Sequence, residues 1–234
     1  MTAIFKRDFR AYFTSPLGYV FLAAFLIIIN GAFYLTSITR STNNLSLIHR
    51  ILLYTLIVLV PILTMRSMSE DYKQKTDQLL LTAPVKASGI VIGKFLAAYS
   101  VFVIGLAVTF IQVLIVASVG TPNIPGAIGD YIALLAASAV YIAIGLFVSS
   151  LTESQLVAAV ASIGIFVFIL LLDIFYVFTK VEFLKAILYW VSMYRRFNTF
   201  YMGVFSLADI VFYISGAGVF LFLTIRVLEK KRWS

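Results

Sequence analysis

Four stretches of the chain hold residue types that could do chemistry. The first is GIVIGKF at 89–95. A phosphate-binding loop needs four residues between its glycines, so that successive backbone N–H groups wrap a phosphate, and a Ser or Thr after the Lys to hold magnesium. Here three residues separate Gly89 from Gly93, Phe95 follows Lys94, and the stretch opens a long apolar run. It reads as helix packing through small residues. The second is His49, the one histidine in a chain with no cysteine. With no nearby carboxylate in sequence it has no ligand set for zinc, and it reads as interfacial. No HExxH motif and no Ser–His pairing supports a hydrolase. The third is Asp173, in ILLLDIFYVF. A carboxylate at a helix centre costs about 3 kcal/mol on insertion scales, so it faces protein or water. It is either a pathway or gate residue, or an interfacial carboxylate paired with a neighbour such as Lys180.

The fourth stretch is the one long polar interruption, residues 66–94, reading RSMSEDYKQKTDQLLLTAPVKASGIVIGK. It holds five of the eighteen basic residues and three of the ten acidic ones. Ser69 can cap a helix running to about Leu81, with Glu70 and Asp71 in its first turn, where the macrodipole favours them. Leu79, Leu80 and Leu81 give that helix an apolar end, and Pro84 stops it. Ser88 can cap the next helix. Such an element presents charges to a partner in water while its leucines anchor it to the membrane.

The elements that position these residues follow from composition. The 234 residues are 62% hydrophobic and 12% charged, against roughly 25% charged in soluble domains, and mean hydropathy is +1.04. This is an all-α polytopic membrane protein with a single membrane domain over 1–234. Spans are expected at about 17–38, 48–65, 95–119, 131–150, 156–178 and 208–228, each long enough for a bilayer. No polar stretch is long enough for a soluble domain. The absence of cysteine excludes disulfides, thiolate metal sites and cysteine nucleophiles. The net charge of +8 is explained by basic loops on one side of the membrane, not by nucleic acid. The first apolar run lacks a cleavage signal and stays as the first span. Pro61 near the end of span two can kink it, and GTPNIPGAIGD before Tyr131 reads as a loop.

Orientation follows from counting Lys and Arg. With the N-terminus inside, twelve fall on the inner side and six on the outer. Both termini and the 66–94 loop are then cytoplasmic. Residues 1–15 alternate Lys6, Arg7 and Arg10 with aromatics at helical spacing, the pattern of an amphipathic interfacial helix. Residues 179–207 are rich in Phe, Tyr and Trp, yet carry Lys185, Arg195 and Arg196. A re-entrant helical pair on the outer side accounts for both. Asp173, Trp190, Tyr194, Arg195 and Arg196 would then form part of a pathway or outer gate, or else an interfacial cover.

SPLGYVFLAAFLIIINGAFY at span one, EDYKQKTDQLLLTAPVKASGIVIGKFLAA in the loop, SSLTESQLVAAV between spans four and five, and TIRVLEKKRW near the end together resemble the permease subunit of ABC-2-type ATP-binding cassette exporters. The chain is most similar to the gliding-motility GldF-like branch. The family's loop motif falls on Glu70, Asp71, Thr76, Asp77, Leu79, Leu80, Thr82 and Pro84, with Lys75 replacing the usual Gly and Asp77 the usual Glu. The resemblance implies a coupling helix after span two, two separate ATPase subunits docked on it and on the N-terminal helix, and a second permease copy or homologue. ATP and magnesium would be bound by the ATPase partner and no cofactor by this chain, which would have no enzymatic activity of its own. Glu70, Asp71, Lys73, Lys75, Thr76 and Asp77 would make polar contacts with the ATPase, and Leu79, Leu80, Thr82 and Pro84 would complete the coupling motif. Glu153 would stabilise the inner hairpin between spans four and five. The resemblance further implies the bacterial cytoplasmic membrane, contact with lipids, and in this branch an accessory membrane protein with an extracytoplasmic part. The alternative is an anchor or scaffold subunit of an ABC-type envelope machine that transports nothing itself.

Overall fold

The computed structural model describes residues 1–38, 45–73, 75, 86–119, 123–201 and 206–233. Among these the regular structure is all helical. Helix α1 (Thr2–Thr14) is followed by α2 (Pro16–Phe33), which passes into a π-helical turn at Tyr34–Ile38. Then come α3 (Leu45–Lys73), α4 (Ala87–Val119), α5 (Ile124–Leu151) and α6 (Gln155–Phe178). Two short helices, α7 (Glu182–Val191) and α8 (Met193–Tyr201), precede α9 (Leu207–Trp233). Six helices are long and apolar enough to cross a membrane: α2, α3, α4, α5, α6 and α9.

Three helix starts and stops differ from the sequence reading, each for a local reason. Helix α3 does not end near residue 65 but runs on to Lys73. Ser69 therefore caps nothing. It is buried inside α3, and its hydroxyl donates back to the Met65 carbonyl. Helix α4 begins at Ala87, which places Ser88 inside its first turn. Helix α5 begins at Ile124, so most of the Gly- and Pro-rich stretch read as a loop is a helix start. Asn123 caps it, its side chain accepting from Gly126 N at 3.2 Å. Pro125 occupies the first turn, where an absent N–H is harmless.

Helix α5 is the axis of the bundle, buried along most of its length. Small residues let its neighbours close on it, the usual route to tight helix pairs in a membrane. At Gly145 a Cβ would overlap Thr64 Oγ1 of α3. At Gly129 a Cβ would stand 2.6 Å from the Phe200 carbonyl oxygen of α8. The Tyr141 ring meets Phe166 of α6 edge-on at 4.7 Å, and Phe147 meets Phe220 of α9 at 5.9 Å. Ser149 is wedged against the α3 backbone. Its hydroxyl donates to Met65 O and accepts from the N–H groups of Met68 and Ser69, all at 3.1 Å.

The amphipathic character expected of the N-terminal segment is present in α1, which buries Ile4 and Tyr12. Ile4 packs on Gly93 of α4, and the Tyr12 hydroxyl donates to Leu63 O of α3 at 3.0 Å. Phe5, Phe9 and Phe13 form a ladder of ring contacts that continues to Tyr19 of α2. The elbow between α1 and α2 is set by Ser15, which is extended, and by Pro16 at the first position of α2. Lys231 of α9 lies 3.4 Å over the Tyr72 ring. The start of α1, the end of α3, the start of α4 and the end of α9 therefore share one end of the bundle, called the near end below. Helices α7 and α8 occupy the far end.

Candidate functional site

At the near end, three helices that are remote in sequence are tied by one buried cation. Lys94, on the first turns of α4, is 3% exposed. Its Nζ is 2.6 Å from Asp71 Oδ2 of α3 and 3.0 Å from Asp8 Oδ2 of α1. It also donates to Ser67 O at 2.6 Å. Arg7 closes the ring, with Nε 2.7 Å from Asp8 Oδ1 and Nη2 3.5 Å from Asp71 Oδ2. One turn back on α3, Arg66 and Glu70 pair across i,i+4, with Nη2 2.6 Å from Oε1. Between these groups and the α1–α2 elbow lies a cavity of about 330 Å³, lined by Arg7, Asp8, Tyr12, Arg66, Glu70, Asp71 and Lys94 among others.

The electrostatics follow from this packing. Partial burial works against the charge on Arg7, but Asp8 and Asp71 outweigh it and hold the guanidinium above its ordinary pKa. Burial pushes the Tyr12 hydroxyl well above the ordinary tyrosine value, so it remains a donor to α3. The cluster contains no nucleophile–base pair and no oxyanion cradle. What it can do is hold three helices in register through charge-assisted hydrogen bonds whose partners can be exchanged.

The residues expected to meet an ATPase divide into three groups. Glu70 and Asp71 are on α3 and half-buried; Asp71 joins the charged ring, and Glu70 pairs with Arg66 beside it. Lys73 and Lys75 are exposed just beyond it. Lys75 adopts the left-handed conformation, with φ 55°, which glycine adopts most easily. Its N–H bonds Tyr72 O at 3.1 Å and closes the end of the helix. Thr76, Asp77, Leu79, Leu80, Thr82 and Pro84 lie outside the described residues. On α1, Lys6 and Arg10 are exposed while Arg7 joins the ring. Glu153 is exposed in the short α5–α6 connection.

The far end gathers most of the expected gate residues, but in a different arrangement. Asp173 does not pair with Lys180. Its Oδ2 accepts from Tyr194 N at 3.4 Å, at the start of α8. Tyr194 stacks on Tyr54 of α3 at 5.4 Å. The two arginines point apart. Arg195 lies 3.2 Å over the Tyr176 ring of α6. Arg196 is buried, with Nη1 2.6 Å from Asp209 Oδ1 of α9 and its guanidinium 4.1 Å over Phe212. Trp190 stays exposed, and its carbonyl accepts from Arg196 at 3.4 Å. Tyr213 OH donates to Met193 O at 2.6 Å and fixes the α7–α8 junction on α9.

Sequence reasoning missed Lys94, Asp8, Asp209 and the partner of His49. His49 is buried, not interfacial, and its Nδ1 is 3.2 Å from Asp130 Oδ2 of α5. Composition places Asp130 in a loop, but it lies in α5; the cap at Asn123 followed by Pro125 is the sequence signal for that helix. For Lys94 the signal was a lone cation at the foot of a span, opposite the acidic pair Glu70 and Asp71.

A family model described as ABC-2 family transporter protein matches residues 2–228. No curated protein matches the chain.

Proposed function

The chain belongs to the ABC-2 transporter family, and from that premise we propose that it is the permease subunit of an exporter driven by separate ATPase subunits. Members of this family are multi-pass membrane transport components that normally pair with ABC ATPases and are not themselves catalytic. In this reading the near end faces the cytoplasm of a bacterial cell, and two ATPases dock on the segment that begins at Lys73 and on the exposed face of α1. Thr76, Asp77, Leu79, Leu80, Thr82 and Pro84 belong to that docking segment. Two permeases, either two copies or a copy and a homologue, pair in the membrane. The GldF-like branch and its accessory membrane protein are part of the same proposal, as are re-entrant α7 and α8 closing the outer side.

The observation that carries the reading is the Lys94 ring. It connects the end of α3, where the docking segment starts, to both α1 and α4. A force applied beyond Lys73 therefore reaches three helices at once. The test uses Lys73 and Lys75, which are exposed and lie outside the ring. The double variant Lys73→Glu, Lys75→Glu should insert and fold normally but lose most of the ATPase that co-purifies with the native chain. Unchanged co-purification would count against docking at this segment.

A further inference from the structure

Helix α7 sits on the far end with its polar side turned to the protein. The Tyr189 ring lies 6.4 Å from the Tyr176 ring of α6, and Lys185, four residues before Tyr189, holds its Nζ 5.5 Å from the centroid of the same ring. The apolar residues of α7 are left outside: Phe183 is 75% and Trp190 70% exposed, and Leu184 is exposed as well. Phe175 and Phe178 continue that apolar surface along the last turn of α6. Helix α7 begins only four residues after the 24-residue span α6 ends, which keeps it at the membrane surface. A short amphipathic helix with Trp and Phe outward lies at the boundary of headgroups and acyl chains.

Tyr176 carries a second cation. The Arg195 guanidinium of α8 lies 3.2 Å from its centroid. Among the described residues no other ring meets two cations. Neither Lys185 nor Arg195 forms an ion pair with a described residue, although two carboxylates are near in sequence. Glu182 stands three residues before Lys185 on α7, and Asp173, three residues before Tyr176, gives its Oδ2 to the Tyr194 N–H. Arg196 shows the contrast, with Asp209 and the Trp190 carbonyl as acceptors. A ring face attracts a cation but accepts little from its N–H donors. Two like charges sharing one ring also repel each other. The pair is therefore complementary to one anion held between them, and the exposed Lys180 adds a third positive charge on the connection before α7.

We propose that Lys185, Arg195 and Tyr176 form a binding site for an anionic phospholipid of the leaflet around the far end. The lipid phosphate bridges the two cations, with the planar guanidinium as a two-pronged donor and the ammonium as a point charge. The acyl chains lie against Phe175, Phe178 and Phe183. A lipid fits better than a free anion because the cations adjoin an exposed apolar surface, so headgroup and chains are met side by side. Seated there, the lipid ties α6, α7 and α8 together at their charged seam. The inference needs only that the chain spans a membrane, not that it moves a substrate.

The test uses Trp190 as a reporter. The chain has two tryptophans, so Trp233→Phe leaves Trp190 alone. The full chain is placed in phosphatidylcholine nanodiscs in which a minor fraction is phosphatidylglycerol. Quenching of Trp190 is compared when the bromine-labelled acyl chains are on the phosphatidylglycerol and when they are on an equal amount of the phosphatidylcholine. Phosphatidylglycerol should be preferred roughly five-fold or more, the scale expected for one or two basic residues at an anionic surface. Lys185→Gln with Arg195→Gln should bring the two lipids to parity, and the charge-preserving pair Lys185→Arg with Arg195→Lys should keep the preference. Equal quenching in the native chain would overturn the site. A preference that survives the double glutamine variant would overturn its assignment to these two cations, and a preference lost equally in the charge-preserving pair would overturn charge as its cause. Millimolar inorganic phosphate that abolishes the preference would assign the seam to a free anion instead. Trp190 quenched by neither lipid would mean that something other than lipid covers α7.

Discussion

The two ends of the bundle both use buried ion pairs, but they are wired differently. At the far end Arg196 has one carboxylate, Asp209, thirteen residues away and equally buried. Aromatic rings of Phe212 and Trp190 flank the guanidinium. At the near end Lys94 has two carboxylates and a carbonyl, drawn from helices up to 86 residues apart in sequence (Asp8 to Lys94). Arg7, which shares both carboxylates, is 44% exposed. A cation with one carboxylate and one carbonyl, in an apolar surround, has no second carboxylate to move to. A cation with three acceptors beside a water-accessible cavity can trade one for another at little cost. The far end is built as a fixed cover, and the near end as a joint.

The largest effect should come from breaking the far-end pair. Replacing Arg196 or Asp209 alone by leucine leaves an uncompensated buried charge, a loss of about 3–5 kcal/mol. Replacing both with apolar residues of similar size should recover most of that loss. A double-mutant cycle on thermal stability in lipid measures this, and additive losses would show that Arg196 and Asp209 are not coupled as a pair. A smaller effect is expected from Lys94→Met. Asp8 and Asp71 keep some access to water, so roughly 2 kcal/mol is expected. Its signature should be local: α1 loosens from α3 and α4, and protease cleavage or hydrogen exchange rises in α1 but not in α8. Equal loosening at both ends would erase the distinction between joint and cover. The smallest effect should follow Arg7→Gln, no more than about 0.5–1 kcal/mol and reduced by salt, because the pair is substantially exposed.

How much of this was legible in the sequence depends on the range of the interaction. The six spans, the amphipathic α1 and the α5–α6 hairpin rest on local periodicity and composition, which are written in consecutive residues. The Lys94 ring was not legible, because nothing local says that Asp8, Asp71 and Lys94 converge. GIVIGK lacks the spacing of a phosphate loop, and its lysine serves carboxylates instead. Ser69 shows the opposite failure. Its local signal for a helix start is real, but Ser149 of α5 closes on that stretch of α3 and the helix continues. Asp130 was misplaced for a third reason. Gly and Pro signal loops on average, and here they form a capped first turn.

The continuity of α3 has a mechanical consequence. Its 29 residues make one rod of about 43 Å at 1.5 Å per residue. His49, bonded to Asp130, is near one tip, and Asp71 and Lys73 are at the other. The Gly145–Thr64 contact and the wedged Ser149 hydroxyl grip the rod along the half that carries Asp71. No loop separates the charged tip from the span, so there is no slack between them. Any displacement at Lys73 is a displacement of the same rigid body at Thr64, and only Pro61, where a ladder bond is missing, can bend it before it arrives at His49. Helix α3 works as a lever with α5 as its bearing.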